Sequence, residues 1–159
     1  MRLPTCVALG LALAAAVSSP AMAQEAATPP VYDAALAQRL GADQHGMRRY
    51  VLVILKTGPT PVPAGAERDA MFAGHFANME RLAETGKLAV AGPFTKDPAQ
   101  WRGLFLFAVD DIEEAKALTA TDPVIVNGEM VAEYHQWYGS AAVMMIPDVH
   151  ERITAPAAE

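Results

Sequence analysis

Tyr50-Val51-Leu52-Val53-Ile54-Leu55, closed by Gly58-Pro59, is the stretch that decides the fold. Its β-branched content predicts a strand, and the Gly-Pro pair ends it. Successive side chains of a strand point to opposite faces, so a strand with one face in water alternates apolar and polar residues. This one does not alternate. Neither does Gly103-Leu104-Phe105-Leu106-Phe107-Ala108-Val109. Two strands that are apolar on both faces belong in the middle of a sheet.

Working outward, a Pro/Gly loop leads from the first strand to a helix expected from about Ala66 to Thr85 and stopped by Gly86. Its apolar stripe reads Phe72, Phe76, Met79, Leu82, at spacings of three and four. Leu88-Ala89-Val90-Ala91 is a short strand closed by Gly92-Pro93. After the strand ending at Val109, Asp110 is placed to cap a second helix, with Glu113 three residues on as in a capping box. Ile112, Ala115 and Leu118 would face inward. Met130 to Tyr138 is the last strand. The order βαββαβ is the split-βαβ, ferredoxin-like arrangement of the α+β class, an antiparallel sheet with two helices on one face and the first and third strands central. Two helices cover only one face. The other is expected to be covered by a second copy, giving a homodimer, or by the short terminal elements.

The ends read differently. Arg2, the apolar run Val7 to Val17 and the small-residue triplet Ala21-Met22-Ala23 predict a signal peptide over residues 1–23, with a run too short to span a bilayer. The mature protein is thus expected to be secreted, in the periplasm. Residues 24–48 read as a disordered Ala/Pro-rich leader followed by a short helix from Tyr32 to Leu40, with Tyr32, Leu36 and Leu40 along one side and Gly41 as its stop. The body spans 49–138, and 139–159 is a partly helical tail. The only cysteine, Cys6, lies inside the signal, so the mature chain has no thiol for a disulfide, a nucleophile or a metal. About 136 residues would remain, enough for one domain. The formal net charge of the full chain is −6 without a basic stripe, which argues against nucleic acid and anionic membrane surfaces as partners.

One residue of the first long helix stands out. His75 falls inside the stripe, one turn from Phe72 and from Met79, so its imidazole is expected to point inward. An imidazole in an apolar wall suits a pocket that moves protons. It is equally the position of a buried histidine that merely satisfies a hydrogen bond. Gly92-Pro93 is expected to let backbone pass close to the pocket, glycine avoiding a side-chain clash. Lys56 and Arg102 lie at strand ends, where they either bind an anionic group or remain solvated. Glu133 and His135 share one side of the last strand, either lining a second wall of the cavity or facing water. His45, His75, His135 and His150 are scattered, without the close ligand spacing of a zinc motif, and no phosphate loop or dinucleotide fingerprint occurs. No metal and no cofactor are expected.

Several segments together resemble the YciI-like (YCII-related domain) family: Leu55-Lys56-Thr57-Gly58-Pro59, Gly74-His75-Phe76-Ala77-Asn78-Met79, Gly86 to Phe94, Arg102-Gly103-Leu104-Phe105, Glu113 to Leu118, Thr121-Asp122-Pro123 and Trp137 to Ala142. Singly they are weak; in this order they are specific. The resemblance implies a dimeric α/β-barrel of ferredoxin-like subunits, similar to muconolactone-isomerase-like proteins. It implies a catalytic His–Asp pair, carried here by His75 and Asp122, and at least one relative is a dehydrochlorinase of a hydroxylated aromatic. The N-terminal signal departs from the family's usual cytosolic members. In this reading Asp122 fixes the tautomer of His75; the plainer alternative is that Asp122 caps the turn before Pro123. Two functions follow: a small-molecule lyase or isomerase working by proton transfer or dehydrohalogenase-type elimination, or a non-catalytic dimeric module that binds a small ligand or stabilises a partner.

Overall fold

The structure, a computed structural model, describes residues 31–156. The expected signal peptide, the leader up to residue 30 and the last three residues lie outside these. Four strands, β1 (Met47–Thr57), β2 (Leu88–Pro93), β3 (Trp101–Phe107) and β4 (Met130–Ser140), form one antiparallel sheet in the order β2-β3-β1-β4. This is the ferredoxin-like α+β arrangement, with β1 and β3 central as their unbroken apolar runs require. Five helices accompany the sheet: α1 (Ala34–Leu40), α2 (Ala66–Glu84), α3 (Ile112–Thr119), α4 (Pro123–Val126) and α5 (Ile146–Ile153).

The core lies between α2, α3 and the face of the sheet carrying Val51, Val53, Leu55, Phe105 and Phe107. Full burial of side chains of this kind stabilises by about 1.5–3 kcal/mol each. The opposite face is partly covered by the chain's own end. After β4 a 3-10 turn over Ala141–Met145 lays Val143 and Met144 against Tyr50, Leu52, Val90 and Leu106. The Tyr50 hydroxyl donates to the Ser140 carbonyl at 2.9 Å and fixes that return. Val131 and Trp137, on the same face, stay 44% and 41% exposed, so the terminal elements cover only part of it.

Local details depart from the sequence expectations in four places. The helix α1 begins after Asp33, whose carboxylate accepts from the Leu36 amide, so Tyr32 precedes it rather than lying on its docking side. Its stop is Gly41, at φ 67°, as expected. The cap of α3 is Asp111, not Asp110, since it is the Asp111 carboxylate that accepts from Glu113 N. The chain between α3 and β4 forms the one-turn α4, an element beyond the two helices expected to pack on the sheet. Finally, α2 is rotated from its expected pose: the buried residues are Met71, His75, Asn78 and Leu82, whereas Phe76 is 61% exposed.

Candidate active site

The rotation of α2 has a specific cause. Three consecutive contacts tie it to the segment that ends α3 and opens α4. Gly74 meets Pro123: a Cβ built on Gly74 would lie 3.0 Å from Pro123 Cγ, inside the normal 3.5–4.0 Å carbon contact. The absent side chain thus lets that segment approach the helix. His75 meets Asp122, its Nδ1 lying 2.8 and 2.9 Å from the two carboxylate oxygens. Asn78 meets Thr121, whose hydroxyl donates to Asn78 Oδ1 at 2.9 Å, while Arg81 donates to the same oxygen at 2.6 Å. Buried polar groups need such partners. His75 through Nδ1 and Asn78 through Oδ1 find theirs on this segment, although Asn78 Nδ2 stays buried without one, and the helix face they share is turned inward at the expense of Phe76.

Asp122 is fully buried and His75 is 7% exposed. The aspartate also accepts from Val124 N at 3.1 Å and so N-caps α4. The capping role and the histidine contact, alternatives in the sequence, are therefore both present. With Nδ1 facing a carboxylate, Nδ1–H is the donor and Nε2 carries the free lone pair. Nε2 has no partner among the described residues, yet it is not one of the buried orphaned atoms, so it opens on accessible space. His75 lines a cavity of about 330 Å³. This is the lower end of the size range of small-molecule sites.

Phe72, Phe76 and Met79 roof the cavity from α2; Leu55, Phe105 and Met130 form its floor; Gly92, Pro93, Phe94, Gly103 and Leu104 close the side. Among the lining residues only His75 and Arg102 are ionisable. Arg102 leads to a second cluster. Its guanidinium reaches Glu129 Oε1 through two nitrogens at 3.4 Å. Glu129 is 2% exposed, takes a 2.9 Å bond from Arg68 and a 2.7 Å bond from the Val62 amide. Burial alone would push the Glu129 carboxyl up; the Val62 and Arg68 bonds and both guanidinium charges outweigh it and hold the group below the ordinary glutamate range.

Of the residues expected at the pocket, His75, Gly92, Pro93 and Arg102 come together at one cavity, and Asp122 stands behind the imidazole. Lys56 and His135 do not join them. Both pair with Glu133 on the opposite face of the sheet, Lys56 through its ammonium and His135 through Nε2 at 2.8 Å. The alternation of β4 correctly groups Glu133 with His135, but that side faces away from α2. Gly92 is also corrected: a Cβ there would meet nothing within 4 Å, and the close approach occurs at Gly103, whose Cβ would sit 3.1 Å from the Gly92 carbonyl oxygen. Glu129, Arg68, Asn78 and Thr121 were not anticipated. Charged or polar residues in turns and on helices, they carry no local signal that separates them from solvated positions. Among the described residues no group of three or more His, Cys, Asp or Glu is placed to hold a metal, and no helix is long and apolar enough to cross a membrane.

A family model described as the YCII-related domain matches residues 49–138. Among curated proteins no match is found. One similar solved structure is 5-chloro-2-hydroxyhydroquinone dehydrochlorinase from Burkholderia phenoliruptrix AC1100 in complex with 2,5-dihydroxybenzoquinone, at 22% identity and a TM-score of 0.42, covering 55% of this chain and 92% of that one.

Proposed function

The chain belongs to the YCII-related domain family, and on that premise we propose that it is an exported enzyme acting on a small molecule, a lyase or isomerase in which His75 is the general base and Asp122 its orienting partner. The observation that carries this reading is the imidazole pinned through Nδ1 to a buried carboxylate, with Nε2 left free at an apolar cavity. Nε2 takes a proton from a carbon beside a carbonyl. The electron pair left on that carbon either expels a leaving group, which is elimination, or is reprotonated at another carbon, which is isomerisation. The Asp122 carboxylate faces the positive charge that the ring gains and prevents it from flipping. A base so held contributes roughly 10²–10⁴-fold, or about 3–5 kcal/mol of barrier.

Export is proposed on Arg2, the apolar run to Val17 and the Ala21-Met22-Ala23 triplet, which together make a periplasmic location the natural reading. A homodimer is proposed on the sheet face that the terminal elements leave uncovered, where Val131 and Trp137 remain exposed. The test is hydrogen exchange. Small carbonyl compounds with an acidic C–H are incubated with the protein in D2O, and deuterium incorporation is followed by NMR. Wild type should catalyse incorporation into at least one class, and His75→Asn should abolish it with the circular dichroism and oligomeric state unchanged. Binding without exchange in the wild type would instead identify a non-catalytic ligand-binding module.

A further inference from the structure

Arg68, Arg102 and Glu129 form a cluster that the proton-transfer reading leaves unused. Two guanidinium groups face one buried carboxylate, and among the described residues neither is paired with another acid. The cluster therefore holds one uncompensated positive charge. The two arginines do not share it equally. Arg68 is the more tightly held: its Nη1 lies 2.9 Å from Glu129 Oε1 and donates to the Val62 carbonyl at 2.8 Å, and its guanidinium lies 4.8 Å over the Phe72 ring, which covers it from the cavity side. Arg102 makes only two long contacts to a single oxygen, at 3.4 Å, and it lines the cavity. The surplus charge thus sits on Arg102, at the wall that a ligand would touch.

We propose that the cavity takes a singly charged organic acid, that Arg102 receives its carboxylate, and that Glu129 sets the charge count to one. This rests on the proton-transfer reading only in using the same cavity; it names the ligand class. The planar fork of an arginine matches two carboxylate oxygens, and charge-assisted bonds of this kind are the strong ones. The remaining walls are apolar and aromatic, so the body of the acid is apolar. Glu129 is too deeply buried to meet the ligand, and its carboxylate neutralises one guanidinium. It thereby keeps the site from demanding a dianion. The local sign is opposite to that of the protein, whose formal net charge is −6.

The experiment is calorimetric titration with benzoate and with benzamide, its neutral isostere, followed by phthalate as a dianion. Wild type should bind benzoate about tenfold or more tightly than benzamide, the discrimination expected of a charged hydrogen-bonded pair, and salt should weaken only benzoate. Arg102→Gln should bring the two ligands to equal affinity with benzamide unchanged, and Arg102→Lys should restore part of the difference. Arg68→Met removes a positive charge that does not line the cavity; Glu129 then claims Arg102, and benzoate should weaken while benzamide does not. Glu129→Gln should shift preference from benzoate toward phthalate. His75→Asn, which stops proton transfer, should keep the benzoate preference, so failure of the two proposals is distinguishable. Equal binding of benzoate and benzamide by wild type, no saturable benzoate binding, or an Arg102→Gln variant that still discriminates would each overturn the proposal. An Arg68→Met variant with undiminished benzoate preference would overturn the charge count.

Discussion

Asp122 serves two structures at once, and substitutions can separate them. Its carboxylate caps α4 through the Val124 amide at 3.1 Å and holds His75 Nδ1 at 2.8 Å, with no exposure to water at the aspartate and 7% at the histidine. Asp122→Ser keeps a capping oxygen but is too short to reach the imidazole. The cost should be that of a buried N–H left unpaired, about 1–3 kcal/mol, since little water reaches the ring. Asp122→Ala loses the cap as well, which adds about 1 kcal/mol. His75→Leu leaves a buried carboxylate without its partner, so the Asp122→Ser cost should shrink in that background. The double-mutant cycle should show coupling of roughly 1.5–3 kcal/mol, the range of a charge-assisted bond. Urea unfolding at constant slope provides the free energies, and imidazole ¹⁵N shifts report the tautomer, which should be Nδ1–H in the wild type only. If Asp122→Ser lies within about 0.5 kcal/mol of wild type and the whole loss appears in Asp122→Ala, the aspartate is a helix cap and nothing more.

Other perturbations test the surrounding design. Gly74→Ala gains about 1 kcal/mol of helix propensity but drives a Cβ to 3.0 Å from Pro123 Cγ, so stability should hardly change while Asp122 is pushed off His75; a variant with raised melting temperature and undisturbed ¹⁵N tautomer shifts would show the contact to be unimportant. The fold holds the Glu129 carboxyl below its ordinary range, so the native state binds fewer protons there than the unfolded chain. That contribution is complete above the ordinary glutamate range and is lost as pH falls through the lowered value. Glu129→Gln should therefore flatten the acid limb of the stability–pH curve, and an acid limb as steep as wild type would contradict the cluster's role. Phe76→Ser, at a residue 61% exposed, should change unfolding free energy by no more than about 0.5 kcal/mol yet weaken benzamide binding severalfold, which calorimetry would detect.

The sheet was legible because its signals are periodic. Two strands without alternation had to be central, and Gly-Pro pairs and Gly86 marked the ends of neighbouring elements. The pose of α2 was not legible, because a hydrophobicity pattern ranks Phe76 above Asn78 as a candidate for burial. The ranking fails where polar side chains find partners across an interface. Asn78 does so with Thr121 and Arg81, and His75 with Asp122, residues more than 40 positions away apart from Arg81. The same rotation leaves Phe72 and Met79 half-buried over the cavity and sets Phe76 at its rim.

The candidate site was legible in part for a related reason. Alternation tells which residues share a face of a strand; it does not tell which face the helices cover. Glu133 and His135 are grouped correctly by alternation, but of the two sides open to them they take the one away from the cavity, where Lys56 joins them. Arg102 and Lys56 looked alike as cations at strand ends, yet one is claimed by an exposed glutamate and the other is only loosely held by a buried one. What distinguishes them is a charge count among Arg68, Arg102 and Glu129, three residues brought together by folding from separate elements. A net charge of −6 describes the field that a distant ion meets. The sign at one wall of a 330 Å³ cavity is set by its nearest few groups, and at Arg102 it is positive, with the Asp122 carboxylate lying apart behind His75. A substrate anion must therefore approach against the protein's overall field, so added salt should speed its association while weakening its final hold on Arg102.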